Sequence, residues 1–328
     1  ALGLEAPMGQ SDVALCAQLM STDGERVFAI EPLQVTCEEV QSILTLIENY
    51  LEPRMFNLFR ANTLNHLLVW HDGNMLIHCT PPKEADGQEL VSVLPQGERE
   101  FELQVLIYDV MELLDDCELN IKRRDEGKKP INLLWMYAPG RPPDLPSFPI
   151  AVGMLFVDAL TSHLPFVGAC RAISIHVHRT PTASADAWMD NLRESYERLV
   201  DTIVKWLMRT DILIVHVRET DWAGHARDPE LKVFALEQFD ELVLRPLWAE
   251  WDRLGDACML IACTHKTLCS TGSHENGHVP FILYPPRGRP NDADAFYELC
   301  AQEDGLVLDA PWELTKMALP IKELIRTS

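Results

Sequence analysis

A chain of 328 residues with 47% apolar composition can fill one large or two ordinary domains with a packed core. Its 28 basic residues against 50 acidic ones leave a formal net charge of −22, a field that repels phosphate backbones and anionic lipid and argues against nucleic acid and membrane surfaces as partners. No apolar run reaches the ~18–20 residues that span a bilayer, and the opening ALGLEAPMGQ lacks the charged-then-apolar layout of a signal peptide. Nine cysteines with no CxxC and no framework spacing read as reduced thiols, so the expected setting is intracellular and reducing, either cytoplasm or an organelle matrix such as the mitochondrial one.

In chain order, residues 13–20, 66–71 and 74–80 read as β-like runs, and 36–51 and 99–120 carry the helical period. Val40, Ile43, Leu44 and Ile47 make one apolar face in the first helix; Leu103, Leu106, Ile107, Val110 and Leu114 do so in the second. A charged patch at 122–129, with Gly127 inside it, marks the expected domain boundary. Beyond it, apolar runs at 131–137, 151–157, 173–177, 211–217, 258–262 and 279–284 read as strands. Helices near 188–208, with Leu192, Tyr196, Leu199 and Ile203 on one face, and near 229–251 lie between them. Uniformly apolar strands alternating with helices predict an α/β domain with a mostly parallel sheet covered on both faces. The proline-rich APGRPPDLPSF at 138–148 reads as a fixed extended loop between two of those strands.

The chemistry concentrates at strand ends. The run at 211–217 leads into RETDWAGHARD, where Trp-Ala-Gly can turn the chain back and bring Asp221 and His225 onto one cation. The next strand leads into ACTHKTLCSTGSH, which adds His265 and His274. One carboxylate and three imidazoles suit Zn²⁺ or Mn²⁺. On pattern alone the bland reading stands beside this one, with Asp221 as a cap or turn residue and the two histidines as ordinary loop residues. His66, His71, His78, His176, His178 and His216 lie within strand-like runs and read as packing residues. Ser270 to Ser273 lack a GxSxG elbow, and neither a P-loop nor GxGxxG is present.

DILIVHVRETDWAGHARDPELKVFALEQFDELVLRPL and LIACTHKTLCSTGSHENGHVPFILYPP closely resemble the C-terminal half of the archaeal-type, cofactor-independent phosphoglycerate mutases of the alkaline phosphatase superfamily. INLLWMYAPGRPPDLPSF, NHLLVW, the TPP of CTPPKEADGQEL and LGLEAPMG extend the likeness over nearly the whole chain. The resemblance implies an alkaline-phosphatase-like core with a mostly parallel sheet flanked by helices, carrying an inserted smaller α+β domain. Residues 1–10 would be a remnant of the core, 11–126 the insert and 127–328 the core proper. In the family two metals flank a serine that is transiently phosphorylated as phosphate moves between the 3- and 2-positions of glycerate. By that likeness Asp221, His225 and His274 fall on the ligands of one metal, and His265 on a ligand of the other.

Departures from the family pattern cluster at the chemistry. Thr264 stands where the family has the aspartate of an Asp-His pair, and Thr161 where it offers a lysine. Gln34 and Lys83 replace histidines, Asn65 replaces an arginine, and Gly272-Ser273 stand where an arginine precedes the last histidine. Family members begin with a strand ending in a metal-binding Asp-Gly and then the nucleophilic serine, and this sequence starts beyond both. The expectation is a catalytically inactive homologue kept as a structural or interaction subunit with a protein partner, binding one Zn or Mn at most. The alternatives are an active metal-dependent mutase acting on 3-phosphoglycerate, with its nucleophile outside this chain, and a one-metal protein or a hydrolase that uses Thr264.

Overall fold

The computed structural model describes all residues except 32–33, 52–54, 62–63, 181–187, 255–256, 285–294, 305 and 320–328. The chain divides into two compact units, Ala1–Asp144 and Leu145–Ser328.

In the first unit, Val13–Thr22 (β1) alternates residues toward the core and is the hub of an antiparallel sheet. It pairs at its end with Val27–Phe28 (β2) and along its length with Asn65–Trp70 (β4) and Leu133–Gly140 (β7). Phe56–Phe59 (β3) pairs with β4. The helix Cys37–Tyr50 (α1) starts with a capping box, in which Thr36 accepts from the Glu39 amide and the Glu39 carboxylate accepts from the Thr36 amide. That carboxylate also receives the buried Arg123 guanidinium at 2.7 Å. The short elements are Ile77–His78 (β5), Pro82–Ala85 (α2), Leu90–Val93 (α3) and Gln96–Gly97 (β6). The expected apolar faces of α1 and of Glu100–Asp115 (α4) are buried in full.

Three expectations for this half change. The run at 74–80 contributes only β5, and the 99–120 helix breaks at Asp116 before Glu118–Asp125 (α5). The third concerns 131–137, expected among the parallel strands of the second half. Its strand, β7, instead pairs antiparallel with β1 from Met20↔Leu133 to Ala14↔Gly140 and belongs to the first unit's sheet. A fully apolar strand reads the same in either sheet, and only the pairing partner separates them.

In the second unit, after Phe148–Ala151 (α6), strands Val157–Leu160 (β8), His176–His178 (β9) and Ile212–Val215 (β10) form a parallel sheet in the order β10-β8-β9. Alternate residues feed two cores. Leu160, Leu213 and Val215 face the helix Leu192–Leu207 (α8), while Val157, Ala159, Ile212 and Ile214 pack with residues of Leu164–Ala172 (α7). Both faces are therefore helix-covered, as the apolar runs predicted. The expected 151–157 strand starts only at β8, because the chain turns through Gly153 (φ 96°) and Met154 (φ 61°). The 229–251 helix is built from Pro229–Phe239 (α10), a π turn and Arg245–Ala249 (α11), preceded by Glu219–His225 (α9). Met259–Ala262 (β11) pairs antiparallel with Phe281–Tyr284 (β14), and between them lies a hairpin of Lys266–Leu268 (β12) and Ser273–Glu275 (β13). Glu298–Asp304 (α12) and Pro311–Ala318 (α13) complete the unit. Among the described residues no helix is long and apolar enough to cross a membrane.

Candidate metal centre

β10 ends at Val215, and the chain passes through His216 and Arg218 into α9. The sequence reading expected a reversal through Trp-Ala-Gly; the segment is instead one helix, so Asp221 and His225 share a face because they are four residues apart. Gly224 lets this helix close on β12: a Cβ there would lie 2.8 Å from Thr267 Cγ2. The second half of the centre is the β12–β13 hairpin, in which Thr267 pairs with His274. His265 stands just before it rather than at the end of a core strand. Gly272 makes the turn possible: its φ is 62°, and a Cβ would lie 2.9 Å from Arg227 Nε.

All four candidate ligands converge. Asp221 Oδ1 lies 3.3 Å from His265 Nε2, 3.3 Å from His274 Nε2 and 3.4 Å from His225 Nε2. His225 Nε2 and His274 Nε2 are 3.0 Å apart. Asp221, His265 and His274 form a closed set within 4.8 Å, and His225 joins it through Asp221 and His274. The His225 Nδ1–H donates to the Gly272 carbonyl at 2.9 Å, which aims the Nε2 lone pair at the cluster. The Thr267 hydroxyl donates to Asp221 Oδ1 at 2.7 Å. Burial pushes the Asp221 carboxyl up, but that hydroxyl and the three imidazoles outweigh it and hold the group below the ordinary aspartate value.

These residues fit a divalent metal. Donors around an ion with ~2.0–2.1 Å bonds stand roughly 3.0–3.4 Å apart, and the cluster's oxygen–nitrogen spacings and its His225–His274 separation fall there. Thr264 does not add a charged ligand; its hydroxyl lies 2.9 Å from His265 Nδ1, behind the ring's cluster-facing nitrogen.

Of this centre's neighbours, sequence reasoning read Thr161 as replacing a family lysine and His216 as a packing residue, and passed over His163 and Arg218. Buried Thr161 lies 3.1 Å from His216 Nδ1 and accepts from the His163 amide at 3.1 Å. His216 stacks between Phe166 and His163, with centroids at 4.6 and 5.4 Å. Burial, then the Arg218 and His216 charges, push the His163 imidazole down to about 4 against the opposing pull of Asp221, so it is neutral near pH 7. Arg218, stacked over Trp222 at 5.0 Å, makes no ion pair among the described residues. Its place three residues ahead of Asp221 in RETD was the available signal. Gln34, Asn65 and Lys83 lie in the first unit. There the Gln34 carbonyl receives Arg123, Asn65 Oδ1 accepts from Tyr137, and Lys83 sits in α2.

Residues 1–120 match the family model of the 2,3-bisphosphoglycerate-independent phosphoglycerate mutases, and residues 179–316 match that of the metalloenzyme superfamily. Between them the two matches and the relatives below support a likeness of the chain to the cofactor-independent phosphoglycerate mutases along most of its length. A protein of Geobacter sulfurreducens named as a probable mutase of this kind is 26% identical over 97% of the chain and 79% of its own length. A mutase of Methanothrix thermoacetophila is 29% identical over 93% of the chain and 76% of its own length. Among solved structures, a Pyrococcus horikoshii protein superimposes with TM-score 0.68 at 20% identity, covering 92% of this chain and 71% of that one. The cofactor-independent phosphoglycerate mutase of Thermoplasma acidophilum gives TM-score 0.55 at 18% identity, covering 97% and 80%. The family fold, an alkaline-phosphatase-like α/β metalloenzyme architecture, is thus the fold of this chain.

Proposed function

We propose that this phosphoglycerate-mutase-like chain holds one divalent metal with Asp221, His274, His225 and His265, and serves as a catalytically silent, structural member of a protein assembly. The observation that carries this reading is Thr264: three imidazoles contact one carboxylate, Asp221, and the position beside His265 supplies a hydroxyl turned to that ring's far nitrogen. A site with two cations needs anionic ligands for both, and a threonine hydroxyl offsets no charge. Thr161, where the family offers a lysine, is buried and engaged with His216 and the His163 amide, so it brings no cation to a substrate phosphate. When bound, a metal here supplies Lewis acidity and a fixed positive charge; Asp221, oriented by Thr267, and His225, oriented by Gly272, hold its position.

A second reading, an active metal-dependent mutase, is favoured by one observation: Arg218, unpaired among the described residues and half-buried near Asp221, is a cation available to an anionic substrate. An assay with 3-phosphoglycerate and added Mn²⁺ decides between them. The silent reading expects no turnover above that of His225→Ala; turnover abolished by that substitution overturns it. For the assembly part, isolation of the native chain as a partner-free monomer is the contrary result.

A further inference from the structure

The strand β9 carries a second set of donors that the Asp221 centre does not use. Residues two apart on a strand share a face, so His176 and His178 project together, while Val177 between them packs into the core on the α7 side. The parallel register sets Asp158 of β8 beside His176. Asp158 Oδ1 lies 3.0 Å from His176 Nδ1 and 2.8 Å from His178 Nε2, and the two nitrogens are 3.1 Å apart. A near-equilateral triangle of that size suits an ion with bonds of ~2.1 Å and donor–metal–donor angles of about 90°, the facial arrangement of two imidazoles and a carboxylate.

The surroundings hold this geometry. The His178 ring stacks on the Trp206 indole with centroids 3.6 Å apart, and the Asp158 side chain is only 13% exposed. The His176 side chain is 73% exposed, so the opposite side of the triangle is open to water or a ligand oxygen. Without an ion, two ring N–H groups pointed at one oxygen would bring like dipoles within 3.1 Å of each other; a cation in place of those protons removes that conflict.

We propose that Asp158, His176 and His178 form a second site for a divalent transition metal. It lies on β8 and β9 themselves, whereas the Asp221 centre follows the end of β10. Nothing in the family's chemistry requires it.

Titration of the chelator-stripped full chain with Co²⁺, read by visible absorption and bound-metal analysis, tests this. The expected stoichiometry is two ions for the wild type and one for either double variant, H225A/H274A or H176A/H178A. His176→Gln, at an exposed position outside the packed core, is expected to weaken the second ion at least ~10-fold, since even outer-shell changes at metal sites cost ~10–100-fold. If H225A/H274A binds no Co²⁺ while keeping the wild-type circular dichroism, or if H176A/H178A still binds two ions, the triad is only a hydrogen-bonded cluster and the proposal falls. Failure of the Asp221 reading looks different: wild type and H225A/H274A would then bind the same single ion, and H176A/H178A none.

Discussion

At Thr264 a hydroxyl faces His265 Nδ1 at 2.9 Å. Thr264→Asp would set a carboxylate against His265 Nδ1, an outer partner that raises the basicity of the ring's cluster-facing nitrogen, and is expected to tighten Co²⁺ binding at the Asp221 centre ~10-fold, the scale of outer-shell changes. Calorimetry on the variant checks this, and unchanged affinity would mean that His265 is not a ligand of the ion. Asp221→Asn removes the one carboxylate that all three imidazoles contact and is expected to lower affinity at that centre at least ~100-fold, beyond the range of outer-shell changes. His66 gives a pH prediction in the other unit. It is 5% exposed, and burial, then the Arg60 charge, lowers its imidazole to about 4. The unfolded chain therefore takes up this proton first: the contribution is intact above ~6.5 and is lost as pH falls toward 4. Comparing urea unfolding at pH 7 and 4.5, His66→Leu is expected to lose about 2 kcal/mol less than wild type.

At the scale of elements, the centre depends on how α9 meets the β12–β13 hairpin. Gly224→Ala would place a methyl 2.8 Å from Thr267 Cγ2 and displace the hydroxyl that donates to Asp221. The expected cost is ~1–3 kcal/mol, as for other overpacked contacts. Thr267→Ser, which removes that methyl and keeps the hydroxyl, is expected to recover part of it; a double-mutant cycle in urea measures the coupling, and strict additivity would show that the two side chains do not press on each other. The helix of α9 also explains why the site was only half legible. DWAGH and THKTLCSTGSH pointed to four residues that the fold brings together, but the glycine in DWAGH suggested a turn. It is small because a neighbouring strand lies against it, and a single sequence does not display that neighbour. The two histidines of β9 were read as packing residues for a similar reason: their partner, Asp158, is on another strand.

For the whole molecule, metal binding and folding are linked. An ion held at ~100 times its dissociation constant adds about 2.7 kcal/mol per site, which for a domain of this size is roughly 5–10 °C in melting temperature. Stripping Zn²⁺ with a chelator is expected to lower the melting temperature by that order. The shift should shrink in H225A/H274A, as differential scanning would show; an equal shift in that variant would place the ion elsewhere.

The amino-acid sequence by itself determined the periodic faces of α1, α4 and α8, the α/β class and the four candidate ligands that the fold gathers, because burial period and ligand chemistry are local properties of a chain. It also set an uncharged residue, Thr264, beside His265. Tertiary structure alone decided that β7 belongs beside β1, that Asp221 and His225 ride on a helix, and that His176 and His178 meet Asp158. Each of those depends on which strand lies alongside, and partners far apart in sequence leave no local mark.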